Sequence, residues 1–505
     1  MTRWQLSKTR IFSMRKNSGF LLAVFCLVFA ISFTTVVVRG MANDIWWDLV
    51  VGHWQVVHHA VMTQNLLTVH DFGKTFMNTE WFWADIAYFF SLWGYPGLVV
   101  MTSLGILAWY AALWAFATWL GSSRLVQVAI LLMGCGASVG WWDFRPQVWA
   151  YPVAVLMVWW VASIGWRVRA VGWLDFLVRS WWEPVCLSVV VMAWAQIHGS
   201  WILILGWLMV ELIASVRWSD RIVYAVWAAL ILSWVGWANP WGGLYPIHSL
   251  GTASSGIISS SLGEWFSPNF HALWLLALVA VYFFGGAMLF LKGPRQADRR
   301  PSLVSWLYFI GFGLGALYGS RFLPYLALGF AFALSGIRVR VSVSRFVRRL
   351  FTVLLSLAAM GLFLLGLRAL PVGPVTSVQA AGSWEPLAAV NYLRTHHVSQ
   401  VFAMDRWGGF LEYEGFRPWI DGRADFWLSV GSAFQRYGWV RFGYRSPVGL
   451  LASAGESWAL VAPQSSFAWG LEQAGWRVRF RDPGTVYGSG AVVLQRVSAS
   501  RRISH

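Results

Sequence analysis

Apolar stretches of near membrane-spanning length recur through the first 370 residues, separated by short polar breaks. They run Phe20–Val38, Pro96–Leu120, Leu125–Trp141, Val148–Trp166, Pro184–Ile197, Trp201–Val216, Ile222–Ala238, Ala272–Leu291, Leu303–Ala316, Phe322–Ile337 and Leu350–Leu367. The pattern predicts a polytopic α-helical membrane protein with about eleven transmembrane helices. Several runs fall short of the ~20 residues a span needs, so tilt or shifted ends are expected. After Pro371-Val372-Gly373-Pro374 the pattern changes. Short apolar runs alternate with helical spacing: a helix at Trp384–His396, strands at Gln400–Met404 and Trp458–Ala462, a helix at Phe467–Ala474, and strands at Trp476–Phe480 and Ala491–Arg496. Residues 1–370 therefore read as a transmembrane bundle with long loops at 39–95 and 239–271, and residues 371–505 as a small α/β domain.

Charge orients the bundle. With the N-terminus inside, segments 1–19, 121–124, 167–182, 217–221, 292–300 and 338–349 hold 20 Lys and Arg, against five (Arg39, Lys74, Arg145, Arg321, Arg368) on the other side. Short loops rich in Lys and Arg stay in the cytoplasm. The N-terminus is thus expected in the cytoplasm of a multi-pass inner (plasma) membrane protein, with residues 371–505 outside it. The first run is too long for a typical signal-peptide core and reads as an uncleaved helix. Segment 167–182 reads as an amphipathic interfacial helix.

Composition agrees with a membrane class: 58% of residues are hydrophobic, 12% are charged, and 38 are Trp. The net charge of +17 lies in inter-span loops and is no nucleic-acid patch. No GxGxxG or P-loop follows any expected strand, so nucleotide binding has no support. Cys26, Cys135 and Cys186 lie inside apolar runs and read as buried thiols without metal spacing.

The acids are one-sided. Of twelve Asp and Glu before residue 371, seven fall in the outer loops: Asp44, Asp48, Asp71, Glu80, Asp85, Asp143 and Glu264. Asp44 and Asp48 in Asn43-Asp44-Ile45-Trp46-Trp47-Asp48 share one face if helical. They are candidates for a general base or a metal site, with an N-cap and a solvated acid as the plain alternative. Glu80 is a helix cap or a third acid beside them. Asp143-Phe144-Arg145 is a local ion pair or an Arg aimed at an anionic headgroup. His198, Asn239, Glu264 and Arg321 lie in other outer turns. The histidines His53, His58, His59 and His70 lack zinc spacing. In the tail, Asp405-Arg406-Trp407-Gly408-Gly409-Phe410 and Asp421-Gly422-Arg423 read as Gly-rich turns fixed by salt bridges, unless that domain folds back over the membrane face.

A hydrophobic first helix, an acidic outer loop at 43–49, a many-helix bundle and an extracytoplasmic tail together resemble the GT-C superfamily of integral membrane glycosyltransferases. A set of uncharacterised bacterial polytopic membrane proteins is also similar. Its marks are matched by Asp44–Gly52, Glu80-Trp81, Arg145-Pro146, His198-Gly199, Asn239-Pro240, Glu264-Trp265, Gly408-Gly409 and Asp421-Gly422-Arg423. The GT-C resemblance implies a catalytic acid at Asp44, with Asp48 second. Where many members carry adjacent acids this chain has Asn43-Asp44, and its tail lacks the Trp-Trp-Asp-Tyr-Gly type motif of oligosaccharyltransferases.

The resemblance implies transfer of a sugar from a polyprenyl-phosphate donor to an extracytoplasmic acceptor in the cell envelope. Asp44 would be the base, and Arg145 and Arg321 would bind the donor phosphate. Glu80, Asp143, His198, Asn239 and Glu264 would support them, and Asp405, Asp421 and Arg423 are candidates from the tail. A divalent cation, if used, falls to Asp44, Asp48 and Glu80. Two rivals stand beside this reading: a transporter or flippase of a lipid-linked glycan, which calls for charges inside spans, and a non-catalytic membrane scaffold.

Overall fold

A computed structural model describes residues 18–41, 43–256, 263–291, 303–335, 337, 339, 344–373, 375, 385–430, 433–484 and 490–497. The basic segment 1–17, loop 292–300, Arg338, Arg340, Pro374 and Trp384 lie outside the described residues.

The chain begins with α1 (Ser18–Arg39), then α2 (Asn43–His58), α3 (Trp81–Ser91), α4 (Gly94–Trp119), α5 (Arg124–Ser138) and α6 (Gln147–Val171). It continues through α7 (Trp173–Ser180), α8 (Trp182–Ile197), α9 (Leu203–Ala214), α10 (Trp218–Ala238) and α11 (Leu244–Ser254). The apolar part ends with α12 (Leu273–Leu291), α13 (Leu303–Tyr318), α14 (Leu326–Ala333) and α15 (Arg345–Ala369). Among the described residues six helices (α1, α4, α5, α6, α10 and α15) are long and apolar enough to cross a membrane. The pair α7–α8, bent by 79°, would make a seventh, and three shorter apolar helices lie at Gly199–Ala214, Leu273–Leu289 and Leu303–Tyr318.

Each apolar run of the sequence forms helix, but the runs differ in role. α1 lies along α15, where Phe33 and Phe363 meet at 5.1 Å and Gly366 leaves room for the Phe33 ring and the Thr34 hydroxyl. α7 is the amphipathic piece expected at 167–182, with Trp173 and Phe176 buried and Leu174 and Val178 outward. The cysteines depart from expectation. Cys26 and Cys186 face outward and Cys135 is half-buried. An apolar thiol suits lipid as well as a protein core, so hydropathy does not tell the two apart. Glu211, inside an apolar run, is fully buried and ion-paired with Arg169.

The tail holds a five-stranded sheet in the order β2-β1-β3-β5-β4. Its elements are α16 (Leu387–Thr395), β1 (Gln400–Ala403), α17 (Asp405–Tyr413), β2 (Arg417–Pro418), α18 (Ala424–Val430), α19 (Ala433–Arg441), α20 (Pro447–Ala454), β3 (Trp458–Val461), α21 (Ser466–Gln473), β4 (Arg477–Asp482) and β5 (Ala491–Gln495). β1 pairs in parallel with β2 and β3, and β5 runs antiparallel to β3 and β4. The inner strands are continuous apolar runs, as two-sided burial requires. The edge strand β4 carries Arg477, Arg479 and Arg481, charges that discourage pairing with another chain.

One expected turn is a helix. Asp405–Phe410 opens α17, and its glycines serve contact rather than bending. A Cβ on Gly408 would stand 2.5 Å from Asp421 Cα, and one on Gly409 would stand 3.0 Å from the Trp47 nitrogen. α17 therefore lies flush on α2, and the sheet unit folds back over the end of the bundle that carries α2. Trp46 of α2 packs against Phe410 and Tyr413 at 5.0 and 5.1 Å and donates a 3.0 Å hydrogen bond to Glu385.

Candidate active site

The fold-back closes a cavity of about 640 Å³ between the bundle and the sheet unit. The bundle contributes Asp44, Glu80, Arg145, His198, Glu264 and Arg321; the sheet unit contributes Asp405, Arg406, Gly422, Arg423 and Arg441. Most of these polar residues sit at helix starts or in short 3-10 turns, where local backbone bonding leaves side chains free to point inward. Asp44 lies in the first turn of α2, where the helix dipole favours a carboxylate. Arg145 follows Asp143 in the turn before Pro146 and α6, closed by a 2.9 Å bond from the Arg145 amide to the Asp143 carbonyl. Glu264 occupies the 3-10 turn Gly263–Trp265, and Arg321 the turn Ser320–Tyr325. Ser320 ties the two together, its hydroxyl donating to the Glu264 carbonyl at 3.0 Å.

Arg145 is the electrostatic centre. Its Nη2 meets Asp44 Oδ2 at 2.9 Å, its Nη1 meets Glu264 Oε2 at 2.8 Å, and its Nε faces Asp143 Oδ2 at 3.5 Å. Burial opposes its charge, but the three carboxylates outweigh burial and raise its pKa. Glu264 shares its second oxygen with Arg321 Nη1 at 3.4 Å, and the Arg321 guanidinium lies 4.4 Å over the Trp265 ring. Burial would raise Glu264; Arg321 and Arg145 hold it below the usual carboxylate range. Asp143 does not line the cavity, and burial lifts it to about 6 against the pull of Arg145.

A second chain of contacts runs along the opposite wall. His198 Nδ1 accepts the Ser200 amide at 3.1 Å and meets the Ser200 hydroxyl at 2.6 Å. That acceptor role puts the ring proton on Nε2, which faces Glu80 Oε1 at 3.5 Å. Burial, then Arg321 and Arg145, depress His198 to about 3, so it is a neutral donor at physiological pH.

The remaining candidates fall elsewhere. Asp48 is fully buried, accepts from Trp83 Nε1 at 3.0 Å and does not line the cavity. Asn239 is buried, donates to Gln196 at 2.9 Å and accepts from the Trp241 amide, which makes it a brace for the α10–α11 turn. Asp421 is sealed below the cavity roof, where Arg423 Nε donates to it at 2.7 Å. Burial would raise Asp421, but Arg423 lowers it. Arg423 Nη2 also donates to Asn65 at 2.8 Å, stitching the sheet unit to loop 60–78. The Asp421–Arg423 pair thus fixes a loop of the sheet unit against loop 60–78. Arg441, whose Nη1 meets Asp405 at 2.9 Å, carries no motif and has no signal in the sequence.

The acids expected to share a divalent cation have different partners. Asp44 is held by Arg145, Asp48 by Trp83, and Glu80 faces His198. Among the described residues no group of three or more His, Cys, Asp or Glu could hold a metal ion.

The chain is similar in structure to the Archaeoglobus fulgidus oligosaccharyltransferase tethered with an acceptor peptide. The two share 12% identity, the match covers 87% of this chain and 69% of that one, and the TM-score is 0.50. A second structure of that protein, in complex with Zn and sulfate, matches at 13% identity over 86% of this chain and 68% of that one, with a TM-score of 0.48. At this identity the likeness is one of fold alone. No protein-family model matches the chain, and no curated protein matches it.

Proposed function

We propose that this chain is a membrane glycosyltransferase of the GT-C type, moving a sugar from a polyprenyl-phosphate donor to an acceptor in the cell envelope. One observation carries the reading. In an oligosaccharyltransferase-like fold, the bundle and the folded-back sheet unit enclose a single cavity that gathers Asp44, Glu80, Glu264, Arg145 and Arg321. In this reading the bundle keeps its eleven spans, the N-terminus is cytoplasmic, and the cavity opens at the outer headgroups of the cell membrane, where a lipid phosphate resides.

The chemistry follows from the side chains. Arg145 holds Asp44 Oδ2, and Asp44 Oδ1 faces Gly422, close enough that a Cβ there would stand 3.3 Å from it. Asp44 takes the proton of the acceptor hydroxyl as that oxygen bonds to the anomeric carbon. The bond from the anomeric carbon to the phosphate oxygen breaks, and its electron pair leaves on the phosphate. Arg321, stacked on Trp265, receives that negative charge. Arg145 acts as a positioning residue for Asp44. No step is assigned to a metal.

Mass spectrometry of envelope glycans and lipid-linked sugars from a deletion strain tests the reading. Accumulation of a polyprenyl-phosphate sugar, with loss of one glycan modification, is expected. An unchanged glycan and lipid profile would remove the transferase reading.

A further inference from the structure

We propose that Arg145 is the resident cation of this site: its guanidinium does the work of a divalent ion in holding Asp44, Asp143 and Glu264 together. This deepens the transferase reading by naming the charge the site works with, and its test reads cation binding without any transfer reaction.

Three carboxylates from three separate segments surround one side chain, and each addresses a different nitrogen of it. The contacts are 2.9 Å at Nη2 and 2.8 Å at Nη1, while Asp143 stands 3.5 Å from Nε, a charge contact without a hydrogen bond. A planar fork of five N–H donors satisfies acids placed around its rim. Hard divalent ions instead draw oxygens to about 2.0–2.6 Å of one centre. Here the acids are spread to the dimensions of a guanidinium. The other charges nearby fit the same account. Arg321 takes the far oxygen of Glu264, and Arg39 acts on Asp143 from outside the cavity.

Arginine keeps its proton throughout the physiological range, so a cation supplied this way is permanent. It cannot be stripped by a chelator, and it does not depend on the ion content outside the membrane. It also explains why Asp44 and Asp143 tolerate each other's charge near Glu264 without a metal cluster among the described residues. With the guanidinium removed, acids spread to its dimensions would be left repelling one another, and a free guanidinium ion fits the emptied pocket where a divalent ion does not.

The test uses the full chain in nanodiscs, stripped with EDTA and titrated with Mn²⁺, with free aquo-Mn²⁺ followed by electron paramagnetic resonance. The wild type and Arg145→Lys should bind no stoichiometric ion. Arg145→Ala should bind no stoichiometric Mn²⁺ either, and its lowered melting temperature should rise with added guanidinium chloride more than with the same concentration of sodium chloride. Size-exclusion profiles and thermal unfolding report whether each variant is folded. Stoichiometric Mn²⁺ on the wild type that disappears in Asp143→Asn would overturn the proposal, and so would a folded Arg145→Ala that binds Mn²⁺ stoichiometrically or gains nothing from guanidinium. If Arg145→Ala fails to fold, the wild-type titration against Asp143→Asn still decides the matter.

Discussion

Asp48 accepts its hydrogen bond from Trp83 with neither side chain reaching solvent, while Asp44, one helical turn earlier, opens on the cavity. The two acids of one helical face thus have opposite surroundings. Burial, then Glu80 and Asp44, push Asp48 well above the carboxylate range. Asp48→Asn keeps the acceptor and should change thermal stability and sugar transfer little. Asp48→Ala leaves the Trp83 N–H unpaired and should cost about 1–3 kcal/mol in unfolding measurements. A loss of transfer in Asp48→Asn equal to that in Asp44→Asn would contradict this assignment.

Asp44→Asn removes charge and basicity while preserving shape, and Asn is as good as Asp near a helix start. Expression and melting temperature should hold while transfer falls by roughly 10²–10⁴-fold. The readout is complementation of the deletion strain's glycan profile beside detergent-extracted yield. Full complementation at normal yield would favour a scaffold over an enzyme.

Arg321→Gln should weaken binding of a polyprenyl-phosphate donor, because a charge-assisted bond contributes about 1.5–3 kcal/mol, or roughly tenfold or more. The side chain sits in a 3-10 turn on the cavity wall, so folding should survive. Donor affinity measured by lipid-analogue titration checks it, and unchanged affinity removes Arg321 from the phosphate site.

Glu385 gives a pH signature. Burial raises it to about 8 despite the Trp46 hydrogen bond and Arg406. An acid raised on folding binds its proton more tightly in the folded chain. Its contribution to stability is full below the unfolded pKa of about 4.3 and is lost as pH rises through about 8. The wild-type melting temperature should therefore fall relative to Glu385→Gln between about pH 5 and pH 8. A wild type that gains on the variant over that range would show Glu385 ionised against Arg406.

The orientation of the chain can be read by single-cysteine labelling. Ser344→Cys precedes α15 on the basic side, and Tyr444→Cys lies on the exposed surface of the sheet unit. An impermeant reagent added to intact cells should modify Tyr444→Cys and spare Ser344→Cys. The reverse pattern would invert the topology.

The helical bundle was legible because membrane spans leave long apolar runs, and the strands because β1, β3 and β5 are short apolar blocks between turn residues. The grouping of Asp44, Glu80 and Glu264 with Arg145 and Arg321 was legible from the loops that carry them, which line one cavity. What could not be read was depth and partnership. Asp44 and Asp48 look equivalent by spacing, and only the packing of Trp83 separates them. Gly408 and Gly409 look like a turn because a glycine that admits a neighbouring backbone carries the same letter as one that bends. Arg441 reaches the cavity through the fold-back of α19, a tertiary fact with no local pattern.

The contact between Trp46 and Glu385 joins residues 339 positions apart. At about 5–20 residues per second, synthesis of the intervening chain takes roughly 20–70 s. For that interval α2 lacks Phe410, Tyr413 and Glu385, the sheet-unit partners that later cover Trp46. Its Ile45, Trp46 and Leu49 need an apolar shelter meanwhile, and a helix directly following the first span is tethered beside lipid. The bilayer surface would then hold the Asp44 helix in trust until the last quarter of the chain arrives to cover it.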